Sequence, residues 1–392
     1  MLFIYLQNKA VEKINFFEKL LLVIFGYFYF PLLIAIPYYF SIYDVNFINA
    51  YFESISGFSS TGFTIFNNIK DIDETFLIWR SGSQWFGGLY FLFSLFLLSG
   101  SSKGKPRHNI LDFESANIIE IKKQYTKVII IYSLLTIIIF LSLSYSGIRL
   151  FEGFNLSLSI ISAGGFLPTN ALTDIIKLSN QQTILSFCML IPLFNLYLIY
   201  NMFLFRKKLH NNLEDLYLLI FLLFILIFTY AFFNHIFEFN LIFFGIISSL
   251  SNIGIGLDKD FSSLSVLFLI LAIIGGSSFS TTSGLKFIRI YILSKFSLEE
   301  IYSIVKPHYV SNKTLFLSKY KINHEEVKNC FLTVIFFIIS FFILSCILSL
   351  SETNFKDSLT LSILTLTNTV NSTNFNLDNV NFFQMNLGTK FS

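Results

Sequence analysis

Residues 56–66, SGFSSTGFTIF, place five hydroxyl side chains and two glycines between apolar segments. The surrounding chain is suited to lipid. Of its 392 residues 54% are hydrophobic, 51 are Phe and only 13% are charged, which is too apolar for a soluble domain of ordinary composition. Irregular backbone at membrane depth is tolerated only where protein or a water-filled cavity satisfies its polar groups. The bend at 56–66 therefore needs such a setting, and the rest of the sequence indicates which.

Long apolar runs at 20–40, 84–98, 128–143, 184–205, 216–233, 264–293 and 331–350 give seven candidates for crossing a membrane. Each is near the roughly 20 residues that span a hydrocarbon core as helix. No small-residue cleavage site follows the first, so it reads as a retained helix and not as a signal peptide. Twenty of the 27 Lys and Arg fall in alternate loops, among them Lys9, Lys103, Arg206, Lys286 and Lys328. The positive-inside rule then puts the N-terminus and those loops in the cytoplasm of a multi-pass inner-membrane protein. This basic charge sets orientation and calls for no nucleic acid.

Between the spans lie semi-apolar stretches of a length that fits re-entrant half-helices, at 47–58, 151–161, 241–250 and 355–366. Each leads into a small-residue loop: SSTGF, SAGGF, SNIGI and TNTVNST. In the first three, a Ser precedes the key glycine by six residues: Ser56 and Gly62, Ser159 and Gly165, Ser248 and Gly254. Span, half-helix, loop, span thus recurs along the chain. A lone Gly/Ser/Thr cluster is most simply a packing face, but recurrence in register predicts a ring about one axis. Glycine's access to positive φ would let successive carbonyls face that axis and replace a cation's hydration shell. The expected filter comprises Ser60, Thr61 and Gly62; Ala163, Gly164 and Gly165; Asn252, Ile253 and Gly254; and Asn368, Thr369 and Val370. The fourth loop lacks glycine, with Val370 or Asn371 at the expected place.

A second polar interruption falls inside the 264–293 run: Gly275, Gly276, Ser277, Ser278, Thr281, Thr282, Ser283 and Gly284. It reads as either a cavity-lining gate loop or a seam of small residues between helices. Lys286 and Arg289 follow at the cytoplasmic exit, as snorkelling anchors or as readers of a partner's state. Arg80, beside Trp79 and Trp85, reads most simply as interfacial. Glu53, Glu152, Asp258 and Asp260 read either as a negative outer mouth or as solvated loop residues.

Cys188, Cys330 and Cys346 lie in apolar segments without metal or disulfide spacing and read as small buried hydrophobes. The five His are too scattered for a zinc or acid-base cluster, so neither cofactor nor enzyme chemistry is expected.

At these residues the chain resembles the Trk/Ktr/HKT superfamily of potassium and sodium transport subunits, most closely its TrkH-type membrane subunit. FESISGFSSTGFTIF with WRSGSQWFGGLYFL resembles the first filter and the helix after it. SIISAGGFLPTN and ISSLSNIGIG are similar to the second and third, and IIGGSSFSTTSGLKFIRI to the broken third-repeat helix with its basic exit. The resemblance implies an all-α polytopic fold of four pseudo-repeats around one potassium-conducting pore. It also implies a homodimer in lipid, a cytoplasmic TrkA-like nucleotide-binding regulatory subunit, and a mobile gate at 275–284, and it places Arg80 close behind the first filter. The corresponding division is 1–100, 128–208 and 209–294 for three repeats and 329–392 for a fourth lacking its closing helix, with cytoplasmic linkers at 101–127 and 295–328. Four filter glycines favour potassium in this family and three are present here, so sodium stays open as a second ion. The rival readings are an ion-coupled symporter and a non-conducting structural subunit.

Overall fold

A computed structural model describes residues 15–42, 45–99, 118–196, 213–257, 261, 263–306, 322–350, 354–369 and 390. Twelve α-helices and no strand occur among the described residues: α1 (Phe16–Ser41), α2 (Phe47–Phe58), α3 (Glu74–Ser99), α4 (Ile118–Tyr145), α5 (Leu150–Ile161), α6 (Ser179–Leu190), α7 (Glu214–Phe233), α8 (Phe239–Leu250), α9 (Ser265–Ile274), α10 (Phe287–Val305), α11 (His324–Leu350) and α12 (Phe355–Leu366).

Length sorts these helices into classes. Four are long and apolar enough to cross a membrane: α1, the Tyr125–Tyr145 part of α4, α7 and α11. Their outward faces carry bare apolar side chains such as Phe25, Phe224, Ile227 and Phe336, the arrangement that lipid, and not water, stabilises. Four others, α2, α5, α8 and α12, each have 12 residues, or about 18 Å of helix, little more than half a hydrocarbon core. These half-helices carry the polarity inward. Ser54, Ser157, Ser159, Ser248, Ser358 and Ser362 on them are fully buried. Ser54 and Ser358 satisfy their hydroxyls on the carbonyls four residues back, at 2.7 and 2.9 Å.

Two of the expected spans are interrupted. The run at 184–205 leaves its first α-helix at Leu190, where a 3₁₀ turn at Ile191–Leu193 contains Pro192, which has no N–H to continue the ladder; residues 197–205 lie outside the described ones. The run at 264–293 stops at Ile274, where Gly275 turns to φ 67°, and resumes as α10 at Phe287. Helix α4 begins at Ile118, inside the segment read as a linker, and α10 continues to Val305, past the boundary expected at 294.

Each later half-helix packs between the long helix before it and the helix that closes the preceding unit: α5 against α4 and α3, α8 against α7 and α6, α12 against α11 and α9. The first, α2, packs against α1 and α3. One hydrophobic core, including Leu143, Ile160, Leu193, Ile247, Phe268 and Leu364, runs through the second, third and fourth of these units.

Candidate functional site

The site is built at the C-terminal ends of the half-helices. In all four the second residue past the helix end is left-handed: Ser60 at φ 58°, Ala163 at 55°, Asn252 at 58° and Asn368 at 43°. Its N–H bonds the carbonyl three residues back, and the next N–H in the first, second and fourth loops reaches back to Ser56, Ser159 and Leu364 at 3.0, 2.8 and 2.9 Å. That is a helix stop closed by a left-handed residue, which turns the chain back along its own axis. Non-glycine residues hold this conformation at a cost of roughly 1–2 kcal/mol, so the surrounding packing must enforce it.

A side-chain clasp completes three of the turns. Ser56 Oγ donates to the Phe63 carbonyl at 2.6 Å, Ser159 Oγ to that of Phe166 at 2.9 Å, and Ser248 Oγ to that of Ile255 at 2.6 Å. The acceptor is in each case the residue just after the glycine. The fourth loop has Leu364 at the serine position. Gly62 and Gly254 are left-handed at 85° and 70°, as the carbonyl-ring expectation required, whereas Gly165 is not. The second loop needs glycine at 164 for a different reason: a Cβ there would lie 2.5 Å from the Gln84 side chain.

The loops meet one another. Thr61 Oγ1 donates to Asn368 Oδ1 at 3.3 Å, and Asn252 Nδ2 to Thr369 Oγ1 at 3.1 Å. Ser60, Thr61, Gly62, Ala163, Gly164, Gly165, Asn252, Ile253, Gly254 and Thr369 are buried, and Asn368 is half-buried. Val370, Asn371, Asp258 and Asp260 lie outside the described residues, as do His108, His210, His308 and much of the basic charge used to orient the chain.

Behind the first two loops stands Arg80, and here the interfacial reading fails. Its side chain is 1% exposed, its Nε donates to Glu53 Oε1 at 2.8 Å, and Glu53 is itself fully buried. Glu53 also accepts from Thr64 Oγ1 and the Ile65 N–H, while Arg80 reaches the Leu167 carbonyl and stacks 4.2 Å above Phe166. The pair ties the exits of loops one and two together, so Glu53 lends no free charge to an outer mouth. Glu152 pairs with Arg149 at 3.4 Å. One turn beyond Arg80, Gln84 offers its amide to Ser159 Oγ and accepts from the Gly165 and Phe166 N–H groups. The sequence signal that could have found this buttress is Arg80 and Gln84 spaced i, i+4, on one face of a helix that is mostly apolar.

The break between α9 and α10 is a folded loop. Gly275 and Gly284 are left-handed, and a Cβ on either would lie within 3 Å of a backbone carbonyl, 2.2 Å from that of Ser283 and 2.8 Å from that of Ile273. The Ser277 N–H bonds the Leu193 carbonyl, and Thr281 Oγ1 bonds the carbonyl of Ile161, the last residue of α5, at 2.9 Å. The loop therefore lies directly against the end of the second half-helix. Gly276 N–H is capped by Thr282 Oγ1, and the Ser278 N–H and Oγ both donate to Glu214 at the start of α7. Ser283 and Gly284 are half-buried.

Lys286 overturns the snorkelling expectation. It is buried at φ 72°, and its Nζ folds back to donate to the Ser280 carbonyl at 3.3 Å, to Ser280 Oγ at 3.1 Å and to the Thr282 carbonyl. A broken helix frees carbonyls, and a buried ammonium with three donors is well suited to take them up. Arg289, half-buried, donates to the Leu285 carbonyl at 3.1 Å. Cys188 and Cys330 are buried as expected; Cys346 is exposed on the apolar face of α11.

No family model matches the chain. It is 28% identical over 291 residues to an uncharacterized cation transporter of Methanocaldococcus jannaschii, covering 70% of this chain and 58% of that protein. It is 28% identical over 302 residues to the Trk system potassium uptake protein TrkH of Salmonella typhimurium, covering 70% of this chain and 61% of the relative. TrkH of Escherichia coli is 27% identical over 301 residues, with the same coverage. The chain thus spans about three-fifths of the length of these relatives. Among solved structures, the potassium transporter TrkH of Vibrio parahaemolyticus superposes with a TM-score of 0.81 at 20% identity, over 98% of this chain and 82% of that one. These relatives are transport proteins by name and not enzymes. By sequence the chain is similar to these Trk-type transport proteins, and by architecture it is an all-α polytopic membrane protein that shares the fold of the TrkH structure.

Proposed function

We propose that the chain is the membrane subunit of a Trk-type potassium uptake system, passing potassium, with sodium as a second candidate, into the cell down its electrochemical gradient. The observation that carries this reading is the repeated end of the half-helices: a left-handed second residue in all four and a serine-to-carbonyl clasp in three. Helix C-termini bear partial negative charge, and a turned-back backbone presents further carbonyl oxygens, which together suit a partly dehydrated monovalent cation. The filter is assigned to residues 60–62, 163–165, 252–254 and 368–370, and the gate to residues 275–284, held by Lys286. The fourfold division into repeats at 1–100, 128–208, 209–294 and 329–392 belongs to the same reading. So do a homodimer, an inner-membrane location with a cytoplasmic N-terminus, and a TrkA-like nucleotide-binding partner. Because Lys286 is buried, that partner would meet Arg289 and the residues beyond it. The names of the relatives support the ion and the partner system; burial of the loop residues and their mutual hydrogen bonds support the filter.

The test is rubidium uptake into potassium-loaded liposomes containing the purified chain, with sodium and potassium as competitors. Saturable uptake that potassium suppresses more strongly than sodium is expected. Uptake no faster than in empty liposomes, from a monodisperse preparation, overturns the reading.

A further inference from the structure

The fourth loop lacks the device that closes the other three. At the position of Ser56, Ser159 and Ser248 it has Leu364, which is fully buried and has no hydroxyl to give. Among the described residues its own hydrogen bonds are short-range: Asn368 N–H to the Thr365 carbonyl, Thr369 N–H to that of Leu364, and Thr369 Oγ1 to the Thr367 carbonyl at 3.0 Å and beside Thr367 Oγ1 at 3.1 Å. The left-handed angle at Asn368, 43°, also departs from the 55–58° shared by the other loops. A loop deprived of its clasp needs another restraint to hold one conformation.

The neighbouring loop supplies one. Asn252 occupies the left-handed position of the third loop, where the first has Ser60 and the second Ala163. Its side chain is fully buried, and its amide nitrogen has two hydrogens to give. One contact runs to Thr369 Oγ1 at 3.1 Å, in the fourth loop, and the other to the Ala272 carbonyl at 2.8 Å, in α9 three residues before Gly275. Asn252 therefore joins the unclasped loop to the helix that enters the intramembrane break. Ser60 is too short, and Ala163 lacks the donors, to do the same at the equivalent positions. We propose that Asn252 is a positioning residue that substitutes across loops for the missing serine clasp of the fourth loop, anchoring that loop to α9. Thr61, through its 3.3 Å bond to Asn368, is the lesser second strut.

This inference rests on the filter assignment only for its effect on ions; the anchoring itself does not depend on conduction. The experiment compares the whole chain with Asn252→Ala, Leu364→Ser and the double variant. Each is checked for monodispersity, then measured by hydrogen–deuterium exchange and by rubidium-against-sodium flux in liposomes. Loss of one net hydrogen bond should speed exchange in residues 361–369 of Asn252→Ala about fivefold, with residues 159–166 unchanged. Adding Leu364→Ser restores at this position the serine that the other three loops carry and should restore slow exchange, whereas a generally loosened core would not respond. In a conducting protein the potassium preference should fall with Asn252→Ala and recover in the double variant. Unchanged exchange at 361–369 in Asn252→Ala, or exchange that rises equally at 159–166, overturns the proposal. So does faster exchange that Leu364→Ser fails to reverse. If exchange follows the expected pattern but even the unsubstituted chain carries no flux, the anchor stands and the transport reading is what fails.

Discussion

A serine hydroxyl that folds back on the carbonyl seven residues ahead closes the turn and uses up a donor that would otherwise be buried unpaired. Because three loops share this bond at 2.6 to 2.9 Å, the residue between clasp and cap is under the tightest conformational demand. Gly62 shows it most directly, at φ 85°. Gly62→Ala should cost roughly 1–2 kcal/mol in backbone strain, leave membrane insertion intact and depress rubidium flux severely. Gly82→Ala, on α3 with open space around a new Cβ, is the matched control and should conduct normally. Equal flux in the two variants removes the first loop from the pathway. The buried Glu53–Arg80 pair makes a different demand. Glu53→Gln leaves the guanidinium buried beside a neutral amide, and loss of one partner from such a pair typically costs about 3–5 kcal/mol. The expected result is a clearly lowered thermal midpoint, partly recovered by adding Arg80→Gln because no lone charge then remains. If the single and double variants melt together with the unsubstituted chain, the pair does not brace the loops.

Among the elements, the α9–α10 break shows how far sequence reading extends and where it stops. Gly275, Gly276, Gly284 and the hydroxyls between them have poor helix propensity, so an interruption was legible. The four half-helices were legible too, within about two residues, because apolar stretches too short to span end at small residues. What composition could not reveal is the direction of each side chain. An uninterrupted helix would carry Lys286 away from the loop, and the reversal at φ 72° turns its ammonium back into it. The same holds for Glu214, which opens a strongly apolar helix yet serves as an acceptor for Ser278 sixty-four residues on. Lys286→Met keeps the length of the side chain and removes its donors. If the loop obstructs the pathway, this variant should raise basal flux several-fold while the protein stays monodisperse. Unchanged basal flux in the folded variant would favour a small-residue packing seam.

At the scale of the whole molecule, long apolar helices outside and hydroxyl-bearing half-helices inside reverse the polarity of a soluble protein, and this inversion is what 54% hydrophobic content encodes. The cross-loop contacts, Thr61 with Asn368 and Asn252 with Thr369, join residues 307 and 117 positions apart and leave no periodic trace in the chain. Orientation, by contrast, depends only on a summed charge bias and can be tested without knowing the pore. The loop between α2 and α3 holds Lys70, whose side chain is 57% exposed and pairs with Asp174 at 3.1 Å; α10 holds Glu300, also exposed. If the basic loops are cytoplasmic, these two residues lie on opposite sides of the membrane. In a background with Cys188, Cys330 and Cys346 replaced by Ala, Lys70→Cys should react with an impermeant maleimide on intact cells. Glu300→Cys should react only after permeabilisation. The surface pair lost with Lys70 is worth about 0–1 kcal/mol, so the fold should survive the substitution. The opposite labelling pattern would invert the chain in the membrane and turn the loop exits at Phe63, Phe166 and Ile255 toward the cytoplasm, which is incompatible with uptake through a filter entered from outside.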